Sequence, residues 1–176
     1  MKNRVNKFIT ILLVCSYSAS GNTEPSPFGV TIKKTTEEEL KHKYSSINYI
    51  GINKYSGGKM YEVNPSQVEF EGVKSLTFIF SIDDKVLAVV ADIDKNKYSK
   101  LFDMLSSKYK LIFKDDPFVG DKAAVFIDDN TKIDLVTPHL GFNLQLRYTH
   151  KDLNTIIGQK SAEEKKQKKD QELGKL

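Results

Sequence analysis

The chain holds one cysteine, Cys15, and no tryptophan. Cys15 falls in a leader-like stretch, so no disulfide can staple the remainder and a hydrophobic core must hold the fold unaided. Three histidines, His42, His139 and His150, stand far apart, and no Cys or His spacing suits a zinc site. No apolar run reaches the ~20 residues that cross a bilayer as a helix. An excess of charge is missing too. Three of the 27 Lys and Arg, and none of the 23 Asp and Glu, lie in residues 1–20, so the rest carries a net charge of only +1. A nucleic-acid partner read from net charge is thereby excluded. No catalytic Ser or Cys motif is present, and no cofactor motif either. Ser56-Gly57-Gly58-Lys59 has pieces of a phosphate loop, but not its spacing, and it sits in a hairpin pattern where a helix is required.

What is present begins with Lys2, Arg4 and Lys7, then the apolar run Phe8–Cys15, then Ser18, Ala19 and Ser20. That order reads as a secretory signal peptide over residues 1–20, with cleavage after Ser20 or Ser18, and it predicts a periplasmic protein. A secreted or envelope-associated location is the alternative. Lipid anchoring at Cys15 would require a small residue before the cysteine, and Val14 stands there.

Residues 70–93 carry the strongest pattern. Leu76, Phe78, Phe80 and Ile82 alternate with Thr77 and Ser81, and a second apolar run follows Asp83-Asp84, which predicts a half-buried hairpin. Phe28–Ile32 reads as a short edge strand. A helix is expected from Thr35, with Thr35 and Glu38 as a capping box and Leu40 and Tyr44 as its buried stripe. Ile47–Val63 reads as a hairpin turning at Ser56-Gly57-Gly58. Tyr98, Leu101, Phe102, Leu105 and Tyr109 mark a second helix, capped by Asp94 or Asn96. Strands follow at 110–114, 123–127, 132–136 and 142–148, then a helix carrying Leu153, Ile156 and Ile157. Phe78, Phe80, Leu101, Phe102, Leu144 and Leu146 are the expected core. The Asp pairs at 83–84, 115–116 and 128–129 read as turn formers. Residues 158–176 lack an apolar stripe, and their Lys and Glu balance, as in a solvated extension or a docking tail.

Two segments match as F-x-G-x-K-small-x-x-F, Phe70–Phe78 and Phe118–Phe126, 48 residues apart. Lys43-Tyr44 and Lys108-Tyr109 end the two helices, 65 residues apart. Together these predict two tandem helix-plus-strand repeats, about 28–93 and 94–157, within a single α+β domain over 28–157: one antiparallel sheet with helices on one face. The offsets differ by 17 residues, which places an insertion in the first copy around residues 53–61. Tyr55, Gly57, Gly58, Lys59, Met60 and Tyr61 are therefore candidate binding residues, since tyrosines beside a glycine turn suit recognition. Packing of Tyr61 and Tyr55 into the sheet is the alternative.

The order of elements resembles the tandem repeat of secreted β-lactamase-inhibitor proteins and of the related small lipoprotein of outer-membrane assembly. Thr35-Thr36-Glu37-Glu38 before Leu40 resembles the Thr-x-x-Glu helix start of those repeats. The chain is also similar to small exported Gram-negative proteins of no assigned activity. It departs in lacking the glycine that closes the helix after Tyr44, and in lacking disulfides. The resemblance implies the fold more than a function. Three functions fit the residues: a non-enzymatic module binding another envelope or secreted protein, an assembly accessory at the cell envelope, and an envelope hydrolase, for which no catalytic set is visible.

Overall fold

The structure, a computed structural model, describes residues 24–174. The expected leader at 1–20, its expected cleavage site and Cys15 lie outside the described residues. The fold is α+β. Eight strands form one antiparallel sheet: β1 (Ile47–Ile52), β2 (Gly57–Val63), β3 (Val73–Ser81), β4 (Val86–Asp94), β5 (Lys110–Asp115), β6 (Lys122–Asp128), β7 (Thr131–Thr137) and β8 (Asn143–His150). Helix α1 (Glu37–Lys43) precedes β1, α2 (Tyr98–Lys108) precedes β5, and α3 (Lys151–Leu173) follows β8. The sheet order is β1-β2-β3-β4-β8-β7-β6-β5.

Each of α1 and α2 is thus followed by four strands, and the two sets of four meet at β4 and β8. The tandem repeat is not confirmed by the matched segments. Phe78 lies in β3, the third strand after α1, whereas Phe126 lies in β6, the second strand after α2. The 48-residue match therefore pairs strands of different rank. The 17-residue excess goes with it, because β1 and β2 are ordinary members of the sheet with β5 and β6 standing at the same places after α2. Residues 53–61 are not an insertion.

One face of the sheet carries the core. Leu76, Phe78, Phe80, Val89, Ala91, Ile93, Leu144 and Leu146 pack there with Leu40 and Tyr44 of α1 and Leu101 and Leu105 of α2. Phe102 is only half-buried. On the other face, Leu153 and Ile157 of α3 pack on Leu87, Ala88 and Ile79. The last helix and the charged tail are one continuous helix, apolar in its first two turns and exposed beyond them.

Several local expectations shift by a residue or a strand. The capping box of α1 uses Thr36 and Glu39: Glu39 N–H donates to Thr36 Oγ1 at 3.2 Å and Thr36 N–H to Glu39 Oε2 at 2.8 Å. Thr35 is engaged elsewhere, accepting from Thr31 N–H at 3.0 Å. The segment 28–32 is not a strand. A 3-10 turn at Pro27–Gly29, with Phe28 and Gly29 at positive φ, drops Val30 and Ile32 into the core. Another 3-10 turn, Lys95–Lys97, leads into α2, and Asp94 makes no side-chain cap. Ile82 lies past the end of β3 and is 77% exposed. Val73 is buried because a bulge between Val73 and Ser75 reverses the alternation there. Asp84 and Asp129 take positive φ in hairpin turns, as turn-forming aspartates can.

Candidate functional site

Residues 53–61 form the β1–β2 turn and the start of β2. Asn53 Oδ1 accepts from the N–H groups of Tyr55 (3.0 Å) and Ser56 (2.9 Å), so the asparagine makes the turn and the two glycines begin the strand. Tyr55 is half-buried beside Ile157 and Leu153 of α3. Lys160 of α3 donates to the Lys54 carbonyl at 2.6 Å, and Lys54 lies 3.8 Å from Glu164. Helix α3 thus clasps the turn. Gly58 is buried, Met60 half-buried, and Lys59 pairs with Glu37 of α1 at 2.7 Å. Tyr61 is a core residue, 6% exposed, with its ring 5.8 Å from Phe80 and 5.7 Å from Tyr49. The six residues are brought together, but as a fastened turn and a buried strand; the tyrosines do not stand out from it.

Glu37 is the electrostatic centre of this end. Lys41, Lys59 and the Tyr61 hydroxyl converge on its carboxylate and hold its pKa down to about 2 from an ordinary 4.5. Burial first, then the Glu37 carboxylate, pushes the Tyr61 phenol up. A carboxylate with a depressed folded pKa contributes stability that is full above the unfolded value and is lost as pH falls through the folded one. Glu37→Gln should therefore lower stability at neutral pH, and its deficit against the parent should close between about pH 4.5 and pH 2. Denaturant titrations of both proteins across that range measure this, and a deficit constant with pH would contradict it.

The opposite end of the sheet presents a different surface. The β5–β6 and β7–β8 loops carry Phe118, Val119, Leu140 and Phe142, which are 103%, 67%, 89% and 92% exposed. These loops are tied together. His139 N–H donates to Asp121 Oδ1 at 2.6 Å, and Gly120 N–H donates to His139 Nδ1 at 3.2 Å. The Lys95 ammonium donates to the carbonyls of Pro138 (2.8 Å) and His139 (2.7 Å), and Lys95 N–H donates to the Phe142 carbonyl at 3.1 Å. At the base, Asp116 bridges Lys122 (2.6 Å) and Lys114 (3.3 Å), which hold its carboxyl below the usual range. The backbone beneath the four apolar side chains is therefore fixed at several points. The sequence pattern hides this surface, because Phe118 matches the repeat motif and Phe142 continues the strand alternation. The available signal was apolar residues set among Pro117, Gly120, Pro138 and Gly141, where buried side chains are not expected.

The two sheet edges are also apolar. Tyr49, Ile50 and Ile52 are exposed on β1, and Leu111, Ile112 and Phe113 on β5. Each edge strand carries a bulge, between Tyr49 and Gly51 and between Leu111 and Phe113. Such bulges interrupt the regular ladder that strand addition needs.

Among the described residues no group of three or more His, Cys, Asp or Glu could hold a metal ion, and no helix is long and apolar enough to cross a membrane. Comparison with protein-family models, curated proteins and solved structures finds no match to this chain.

Proposed function

We propose that the chain is a non-enzymatic periplasmic binding module, an inhibitor or accessory, that engages another envelope or secreted protein through the braced loops at 117–121 and 138–142. The observation that carries this reading is the near-complete exposure of Phe118, Leu140 and Phe142 on loops tied by His139 and Lys95. Exposed aromatics on a backbone already fixed lose little conformational entropy on binding, which is the arrangement of interface anchors. The basic-apolar-small order of residues 1–20 supports export. The 53–61 turn lies at the other end of the sheet, and its aromatic residues are engaged within the protein.

The test pairs capture with stability. Phe118→Ser with Phe142→Ser should weaken binding of a partner captured from an envelope extract by about 2 kcal/mol or more, the scale of hot-spot loss. The melting temperature should stay within a few degrees, because both side chains are exposed. Unchanged binding by that variant, with loss in a Lys59→Ala or Tyr55→Ser variant, would return the contact to the β1–β2 turn. The exposed apolar side chains of β1 and β5 favour a second reading, an assembly accessory that docks through those side chains and not by adding a strand. Loss of binding on Ile50→Lys or Ile112→Lys alone would select it.

A further inference from the structure

Between α1 and α2, on the core face of the sheet, lies a groove of about 560 Å³. Its walls are Phe28, Tyr44, Phe70, Leu101, Leu105 and Tyr109, and Leu146 and Tyr148 line its β8 side. The walls are held by their own contacts. Tyr44 donates its hydroxyl to the Phe28 carbonyl at 3.0 Å, Phe28 meets Phe70 edge-on at 6.4 Å, and Tyr109 meets Tyr148 edge-on at 6.1 Å. Met104 of α2, half-exposed, offers an adaptable apolar side chain on the same lining.

The charges around the groove are lopsided. Lys43 and Lys108, the last residues of α1 and α2, both line it, and Lys100 lies 5.7 Å from the ring of Phe70. None of the three ammonium groups is within ion-pair distance of a carboxylate among the described residues. Lys43 and Lys108 instead lie over the rings of the tyrosines that follow them, at 5.5 and 5.1 Å. Glu69 is the one carboxylate on the lining. Most other lysines near the sheet are already committed: Lys41 and Lys59 to Glu37, Lys97 to Glu71, Lys122 to Asp116.

An aromatic and aliphatic trough whose rim carries ammonium groups that make no ion pair suits one chemistry. We infer that the groove binds a free amphiphilic carboxylate, its alkyl chain lying between α1 and α2 and its head group taken by Lys43 and Lys108. The volume falls within the roughly 300–1,000 Å³ of small-molecule pockets. This site is distinct from the exposed loops of Phe118 and Phe142 and does not depend on them.

Calorimetry with dodecanoate below its critical micelle concentration tests the inference. One molecule should bind per chain, and dodecyltrimethylammonium, with the same chain and the opposite charge, should bind at least about tenfold more weakly, a difference of about 1.4 kcal/mol. Lys43→Glu with Lys108→Glu should abolish that preference, while Lys165→Glu with Lys166→Glu on α3 should leave it intact. All four lysines are exposed, so both variants should stay folded, the groove pair melting a few degrees lower because glutamate opposes the dipole at the ends of α1 and α2. Equal binding of the two amphiphiles, or no binding of either, overturns the inference. So does binding of phosphatidylglycerol vesicles without binding of free dodecanoate, which would mark a lipid-surface contact instead.

Discussion

Phe78→Ala is expected to cost about 3–5 kcal/mol of folding stability, the range for truncating a buried aromatic. Phe78 has no exposed surface and sits in β3, paired across the ladders with Tyr61 of β2 and Val89 of β4. Its ring centroid lies 6.0 Å from that of Tyr44, at the end of α1. The cavity left by alanine would open between two strands and a helix, and the strands are held in register by their hydrogen bonds and so cannot close over it. A domain of this size has about 5–15 kcal/mol in total, so the variant should unfold at a much lower denaturant midpoint with an unchanged slope. Phe102→Ala is the internal comparison. Phe102, in the middle of α2, is half-buried at the margin of the core, so its loss should be smaller. A Phe78 loss below about 1 kcal/mol would mean that its side of the sheet does not hold the core.

That burial of Phe78 was legible because period-two alternation in β3 is long and regular. The same holds for Leu144, Leu146 and Tyr148 in β8, and helical spacing placed Leu101 and Leu105 correctly. The failures have local causes. Alternation assumes an uninterrupted ladder, and the bulge at Val73/Ser75 turns Val73 inward against the pattern. Two threonines and three glutamates in a row allow two capping registers. Only the long-range structure decides between them, since Thr35 O accepts from Val86 N–H while its hydroxyl accepts from Thr31. The Phe-x-Gly match failed because a glycine turn before a strand recurs for local reasons and carries no rank within a repeat. Composition points to recognition at Tyr61, whereas its period-two spacing from Val63 places both on one buried face of β2. The bracing of the Phe118 and Phe142 loops is not legible in the sequence, because it runs through His139, Asp121 and Lys95, far apart along the chain.

Gly58 separates a structural from a recognition role for the β1–β2 turn. A Cβ built on Gly58 would lie 2.5 Å from the carbonyl carbon of Phe80 and 2.6 Å from that of Ser81, and nearer still to the Phe80 oxygen. These are backbone atoms of β3, so no side-chain rotation relieves the clash. β2 would have to separate from β3 where their register already shifts, between Gly57 and Met60. Gly58→Ala should therefore cost about 3 kcal/mol or more, at or beyond the upper end for overpacking. Gly57 gives the scale. It has φ +68°, and an added Cβ would meet Ile82 Cγ2 at 3.1 Å, on an exposed side chain free to move. Gly57→Ala should cost only the left-handed backbone penalty of about 1–2 kcal/mol. Thermal and denaturant unfolding of the two variants should thus rank Gly58 well above Gly57. A stable Gly58→Ala protein that no longer captured its partner would reverse the assignment, because the glycine would then be needed for close approach of another chain and not for the approach of β3.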